Sequence, residues 1–508
     1  MFTSGFNIKN FLFRLYLRKV YSPDFTAAKS IRHQQKIFEN IINRLGNTEL
    51  GKDLKFAQIK SYNDFRNSVP VTQYDFYEGY VEKIKAGKEN IMTDRPVRYF
   101  AKTAGTTSGK SKLVPITKEI MRQNHVRGSF FALSKIHQLD KSIQLLSHKN
   151  LLIPGGIYET LPNGILIADI SAVLSRNIPA IYRRYYTPGL QTQTLGKWEE
   201  KINRTVHEIK NEDVGTFSGV PTWYLATLNK LKDETGFNKL TDLWKNLQVF
   251  FHGGVSFEPY RKQFEELVGK KDFVFFEIYN ATEGFIAIQE TLHTNDLLLL
   301  TDNLLFFEFI PLDKYYAGER NALQLSEVKS GVPYVLLLTA PNGLIRYLIG
   351  DVITFTKTDP FTFKITGRTQ EYINAFGEDL LLANVQNALM NTNKQLNASI
   401  RDYTVAPFYI NIEQKGRIQF AVEFSQTPVD LKLYAQTLDE NLKKENSNYL
   451  QKRTNDLALS CLEVIALPEG TFYKWLSSKN KLGGQNKVPR LVNGRGVMEE
   501  ILKIILPA

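Results

Sequence analysis

The apolar positions of this 508-residue chain change their period along its length. From about residue 24 to 95 they recur at helical spacing, interrupted at Gly51-Lys52-Asp53 and Val69-Pro70-Val71. Beyond that stretch, short apolar runs of strand length take over: Leu151-Leu152-Ile153, Val214 to Phe217, Leu247 to Phe251, Phe273 to Tyr279 and Val335 to Leu338. Helix-like stretches separate several of them, including Lys197 to Lys210, Thr222 to Lys232 and Pro259 to Val268. Strands that alternate with helices imply largely parallel sheets, which bind ligands at the carboxyl ends of their strands. Here those ends carry glycine-rich or polar turns: Pro154-Gly155-Gly156, Ser218-Gly219, His252-Gly253-Gly254 and Asn280 to Gly284. The pattern therefore predicts loops gathered around one cleft.

A second change of texture falls near Gly367-Arg368-Thr369-Gln370. Before it, Phe361 to Thr366 reads as a hairpin strand. After it come strands near Ile418 to Phe424 and Leu457 to Ile465, with a helix near Leu431 to Asn446. The expected class is α/β. A large N-terminal domain, residues 1–367, carries mixed and parallel sheets with flanking helices; a smaller α+β C-terminal domain covers residues 368–508, with a hinge at about 368–372.

Composition narrows the class. With 43% hydrophobic, 23% charged and 12% aromatic residues, the chain reads as globular and soluble rather than disordered. One cysteine, Cys461, excludes an internal disulfide and fits a reducing, cytoplasmic setting. The seven histidines lack metal-ligand spacing, so no zinc site is expected. A net charge of +12 is spread along the chain without a dense basic tract, which favours small anionic ligands over nucleic acid. No 18 apolar residues run together, so no membrane span is expected. Phe6 to Tyr21 mixes apolar residues with Lys9, Arg14, Arg18 and Lys19; a helix packed on the body is expected there, with a membrane-surface helix as the alternative.

The densest chemistry lies at residues 103–112, Thr-Ala-Gly-Thr-Thr-Ser-Gly-Lys-Ser-Lys. Glycines let successive N–H groups face one anion, hydroxyls donate further hydrogen bonds, and lysines supply charge. Gly109-Lys110-Ser111 matches the second half of a P-loop, but Ala104 stands where its first glycine belongs. A P-loop also runs straight into a helix, whereas Lys112 to Ile116 is β-leaning and contains Pro115. A helix start fits better at Thr117, ahead of Lys118-Glu119-Ile120. The loop is therefore expected to join two strands, Val97 to Lys102 and Lys112 to Ile116, over a ligand.

Four signals follow one another in order: this loop, Tyr279 to Gly284 after a strand, Arg346 to Asp351, and Gly367-Arg368 at the boundary. Together they resemble the adenylate-forming superfamily of acyl-adenylate synthetases. The closer resemblance is to the acyl acid amido synthetases first known as plant auxin-responsive (Gretchen Hagen) proteins, in a bacterial-type form. It extends over nearly the whole chain, through Leu50 to Asp53, Ser61 to Phe65, Val69-Pro70-Val71, Gly219-Val220-Pro221 and Leu482 to Arg490.

This resemblance implies an ATP-dependent ligase that makes an acyl-AMP from a carboxylic acid, expels pyrophosphate, and passes the acyl group to an amine, expected to be an amino acid. Charge builds on the α-phosphate, so positioned donors, a cation and Mg²⁺ are called for rather than a covalent nucleophile. By resemblance, Thr103, Gly105, Thr106, Thr107, Ser108 and Gly109 hold phosphates, Thr106 takes part in catalysis, and Lys112 ends the motif. Ala104 departs from the family pattern and removes one hydroxyl. Tyr279 offers a flat face to adenine, and Gly253, Gly254 and Val255 bring backbone to its edge. Thr282 is the expected phosphate donor, Glu283 the Mg²⁺ ligand, Asp351 the acceptor for both ribose hydroxyls, and Arg368 a partner for ribose or phosphate. Lys487 is the expected mobile catalytic lysine, with Lys481 as the alternative; Gln370 replaces an acidic hinge residue. A monomer whose small domain rotates between half-reactions is expected. Coenzyme A as acceptor, a nucleic-acid-associated P-loop ATPase and a non-catalytic binding protein stand as competing readings.

Overall fold

A computed structural model describes residues 8–22, 25–103, 112–255, 257–369, 372–378, 380–409, 415–454, 459–479 and 488–505. Among them, eleven strands form one large sheet. Its antiparallel half runs, in spatial order, Phe306–Pro311, Pro333–Thr339, Tyr347–Thr358, Phe361–Arg368, Leu297–Leu299 and Gly284–Gln289. Val274–Ala281 is the seam, antiparallel to Gly284–Gln289 on one side and parallel to Val249–His252 on the other. The parallel half continues through Val214–Gly219, Lys149–Leu152 and Tyr186–Thr187.

The apolar runs become parallel strands because helices cover both faces of this half. All four residues of Val249–His252 are buried. The connecting helices Trp198–Ile209, Pro221–Thr235 and Glu258–Val268 match the predicted stretches within a turn. Pro221 starts its helix where no N–H partner is needed, and Gly236 ends it in the left-handed conformation.

Helices Ala27–Leu45, Tyr62–Ser68 and Glu78–Lys85 pack beside the antiparallel half, as the helical spacing of residues 24–95 predicted. The Ser61 hydroxyl and the Asp64 carboxylate satisfy each other's backbone N–H groups at the start of the second. From the first, the buried Gln34 amide donates to the Thr301 and Leu305 carbonyls, both at 2.9 Å, and accepts from the Phe307 N–H at 2.8 Å.

A smaller sheet orders Lys112–Thr117, Val97–Thr103, Leu166–Ala168 and Ile157–Thr160. Its first two strands are antiparallel, with Thr103 opposite Lys112. The two strands expected on either side of residues 104–111 are thus present, and a strand rather than a helix begins at Lys112. The Thr117 hydroxyl caps the next helix by accepting from the Ile120 N–H at 3.2 Å. That helix, Lys118–Ile120, passes through a π-helical turn at Met121–Val126 into Arg127–Leu139.

Phe361–Arg368 completes the large sheet, so the chain leaves it at Arg368. Beyond lie the strands Ser399–Phe408, Arg417–Gln426 and Glu463–Leu467, flanked by Leu382–Leu396 and Leu431–Glu445. Of the strand expected over Leu457 to Ile465, Leu457 and Ala458 lie outside the described residues, and in the described part pairing with Gln419 starts at Glu463. One apolar cluster joins the parallel half to this region: Ile373 and Phe376 pack in the same cluster as Phe257 and Tyr260, whose hydroxyl donates to the Ala375 carbonyl at 2.6 Å.

Candidate active site

The strands Lys149–Leu152, Val214–Gly219, Val249–His252 and Val274–Ala281 are parallel neighbours, so their carboxyl ends share one edge. Gly253 follows one of them. A Cβ there would meet the Ile278 carbonyl oxygen at 2.3 Å, so only glycine lets this turn press against the strand that carries Tyr279. The Asn374 amide donates to the Gly254 carbonyl at 3.3 Å, while Val255 is buried.

Val274–Ala281 and Gly284–Gln289 form a tight hairpin in which Ala281 faces Gly284, leaving Thr282 and Glu283 as its turn. Helix packing holds that turn. Asn124, in the π-helical segment, accepts from the Phe285 N–H at 2.7 Å and donates to the Phe285 carbonyl at 3.2 Å. The His125 ring pairs with the Asn280 side chain at 2.8 Å, and burial lowers that imidazole to about 4, so it is neutral.

The hairpin turn sets Glu283 into a charged cluster. Burial raises its carboxyl above the ordinary range; Lys112 is the main opposing influence, with Arg368 weaker. The Tyr347 hydroxyl hydrogen-bonds to Glu283 and accepts from the Lys112 ammonium at 3.4 Å. Asp351 lies directly across the ladder from Arg368, whose Nε donates to its Oδ1 at 2.6 Å. Gly350, at φ +95°, turns the strand just before this pair. The Tyr279 hydroxyl donates to the other Asp351 oxygen, and burial together with that negative charge holds the phenol well above its usual pKa.

Five predicted residues thus converge: Lys112, Tyr279, Glu283, Asp351 and Arg368. Thr282 shares the Glu283 turn, and Thr103 faces Lys112 across the strand pair. Gly105, Thr106, Thr107, Ser108, Gly109, Lys481, Lys487 and Gln370 lie outside the described residues. The segment after Lys487 docks on the sheet that contains Ser399–Phe408: the Thr404 hydroxyl donates to the Pro489 carbonyl at 2.7 Å, and the Val405 N–H to that of Arg490 at 2.9 Å.

Tyr347 was not anticipated. Its place in an apolar strand made it legible only as core. Arg346, its neighbour, turns away from the cluster into a buried ion pair with Glu308 and donates to the Arg66 and Val69 carbonyls.

Comparison with known proteins bears on this arrangement. Residues 25–158 and 162–273 match the GH3 family N-terminal domain, 298–368 the GH3 family central domain, and 383–496 the GH3 family C-terminal domain. The chain belongs to the GH3 family. Among GH3 relatives, indole-3-acetic acid-amido synthetase GH3.15 of Arabidopsis thaliana is 30% identical over 93% of this chain and 91% of its own. Jasmonoyl–L-amino acid synthetase JAR6 of Nicotiana attenuata is 24% identical over 90% of each. In fold, the chain is similar to the AtGH3.15 acyl acid amido synthetase in complex with 2,4-DB, at TM-score 0.60 and 17% identity over 99% and 97% of the two chains. It is also similar to 2-hydroxyisobutyryl-CoA ligase, at TM-score 0.59 and 14% identity over 96% and 94%. The central-domain match ends at Arg368, the residue that pairs with Asp351.

Proposed function

We propose that this GH3 chain is an ATP-dependent ligase that activates a carboxylic acid as its acyl-AMP and transfers the acyl group to an amine, an amino acid in the first instance. The observation that carries this reading is the convergence of Lys112, Glu283, Tyr347, Asp351 and Arg368 beside the carboxyl ends of the parallel strands.

The acid's carboxylate oxygen attacks the α-phosphorus of ATP, and the bond to the pyrophosphate oxygen breaks. Negative charge crosses the α-phosphate during this step. Lys112 supplies a fixed cation, the hydroxyls and N–H groups of residues 103–109 act as donors, and Arg368 compensates ribose or phosphate. Asp351 accepts the ribose hydroxyls, Tyr279 presents its ring to adenine, and Gly253, Gly254 and Val255 meet the adenine edge. The amine then attacks the acyl carbonyl and AMP leaves with its phosphate oxygen.

Glu283 fits a Mg²⁺ ligand of limited reach. Among the described residues no cluster of three or more His, Cys, Asp or Glu could hold a metal ion. Mg²⁺ in nucleotide sites is held through one or two carboxylates plus phosphates and water, so one buried carboxylate suits an ion that arrives with ATP. That ion supplies charge neutralisation on the phosphates. Lys487 is the proposed mobile lysine of adenylation, and rotation of residues 368–508 about 368–372 the proposed way it withdraws before the amine attacks.

An acceptor comparison tests the reading. With an acid that supports adenylation, amino acids and hydroxylamine should each yield an amide or hydroxamate and AMP. A thioester formed with coenzyme A, and no product with any amine, would replace the amide assignment with an acyl-CoA ligase.

A further inference from the structure

The N-terminal helix Ile8–Val20 is apolar on two sides. Its inner side behaves as expected of a helix packed on the body. Phe13 and Leu17 are buried in a cluster with Phe131 and Ile136, the Asn10 amide donates to the Ser147 hydroxyl at 2.6 Å, and Arg14 donates to the Ile143 carbonyl at 2.9 Å. The outer side is a different surface. Phe11, Leu12, Leu15 and Tyr16 are large apolar side chains between 44% and 57% exposed.

At 100° per residue, Phe11, Leu15, Leu12 and Tyr16 fan across the side opposite Phe13 and Leu17. Tyr21, which follows the helix, stacks on Phe130 with ring centroids 4.9 Å apart.

Charge decides what this surface suits. The helix contains Lys9, Arg14, Arg18 and Lys19 and no acidic residue, and Arg18 and Lys19 are exposed in its last turn. A second copy seated here would bring like charges face to face. An anionic bilayer would meet the basic residues with headgroups and the apolar fan with acyl chains. The helix has 13 residues, about 20 Å, which is too short to cross a bilayer core of roughly 30 Å.

We infer that Ile8–Val20 is a peripheral docking surface for an anionic phospholipid bilayer, on which the helix lies in the plane of the interface. Attachment is reversible, because the buried apolar area is small and the electrostatic part is screened by salt.

Co-sedimentation of the full chain with vesicles tests this. Binding should be roughly tenfold stronger to phosphatidylcholine vesicles that contain phosphatidylserine than to phosphatidylcholine alone, and high salt should reverse it. Leu12→Asp with Leu15→Asp should abolish pelleting, and Arg18→Glu with Lys19→Glu should remove the preference for anionic lipid. Both double variants should keep the thermal midpoint and solution pyrophosphate exchange of the parent, since neither touches the nucleotide cluster. Failure of the parent to pellet with anionic vesicles would overturn the inference. So would pelleting unchanged by Leu12→Asp with Leu15→Asp, or light scattering that finds a dimer which this double variant splits, since that assigns the surface to a second copy.

Discussion

Asp351→Ala separates nucleotide recognition from structural support. Asp351 is buried; its two oxygens accept from the Arg368 Nε at 2.6 Å and from the Tyr279 hydroxyl. A bound ribose would compete for the same oxygens through its two hydroxyls. Hydrogen bonds to a charged group contribute about 1.5–3 kcal/mol each. If two are lost with moderate compensation by water, the deficit is about 3 kcal/mol, or on the order of a hundredfold in apparent ATP affinity. The substitution also leaves the Tyr279 hydroxyl and the Arg368 guanidinium without this acceptor, which should lower stability by about 1–3 kcal/mol. Two assays are needed on the same preparations: the ATP dependence of acid-stimulated pyrophosphate release, and urea unfolding without nucleotide. The expected result is a KM for ATP raised on the order of a hundredfold with a smaller change in kcat. A variant that loses stability while its KM for ATP stays within a few-fold of the parent would refute ribose recognition and leave Asp351 as a brace for Tyr279 and Arg368.

Other expectations follow from the same cluster. Glu283→Gln should reduce adenylation by roughly a hundredfold or more. It should also stabilise the nucleotide-free protein at neutral pH: the parent's raised carboxyl gives stability that is full below its ordinary pKa of 4.5 and lost as pH rises through the raised value, and urea titrations across that range should show this one-proton contribution removed in the variant. Tyr347→Phe, which removes the hydroxyl between Lys112 and Glu283, should lower kcat about tenfold with little change in KM for ATP, read from steady-state kinetics. Lys487→Ala should slow adenylation while nucleotide affinity, measured by calorimetry, changes less than in Asp351→Ala. Burial lowers His125 and His137 to about 4 and His252 to about 3. Each depressed imidazole contributes stability that is full above about 6.5 and lost as pH falls toward the folded value. Taken alone, these three histidines give uptake of up to three protons on unfolding below that point, a slope of up to about 4 kcal/mol per pH unit. The raised carboxyls of Glu283 and Glu308 act in the opposite sense, so Glu283→Gln should steepen the fall.

Local signals were legible where one residue decides the backbone. Pro115 and the β-leaning run around it told a strand from a P-loop helix, and Thr117 marked the next helix start. Glycine-rich turns after apolar runs located the edge where Gly253 and Glu283 stand, because parallel strands bring their carboxyl ends to one side. What could not be read is cross-strand. Asp351 faces Arg368 because Tyr347–Thr358 pairs with Phe361–Arg368 through two irregularities in register, and Tyr279 reaches Asp351 from 72 positions away. The same long-range pairing hides Tyr347, whose apolar neighbours give it the signature of core. The apolar cluster that links Phe257 and Tyr260 to Ile373 and Phe376 was equally invisible, since a change in composition near residue 367 marks where an architecture changes and says nothing of how its parts pack.

The central claim is that the cluster around Glu283 and Asp351 serves acyl adenylation. Exchange of labelled pyrophosphate into ATP tests it most directly, with purified full-length protein, Mg²⁺ and a panel of aliphatic and aromatic carboxylic acids. The account predicts label in ATP only when a suitable acid is present, and its loss in Glu283→Gln. Absence of exchange with every acid in folded protein, or cleavage of ATP to ADP, would contradict it.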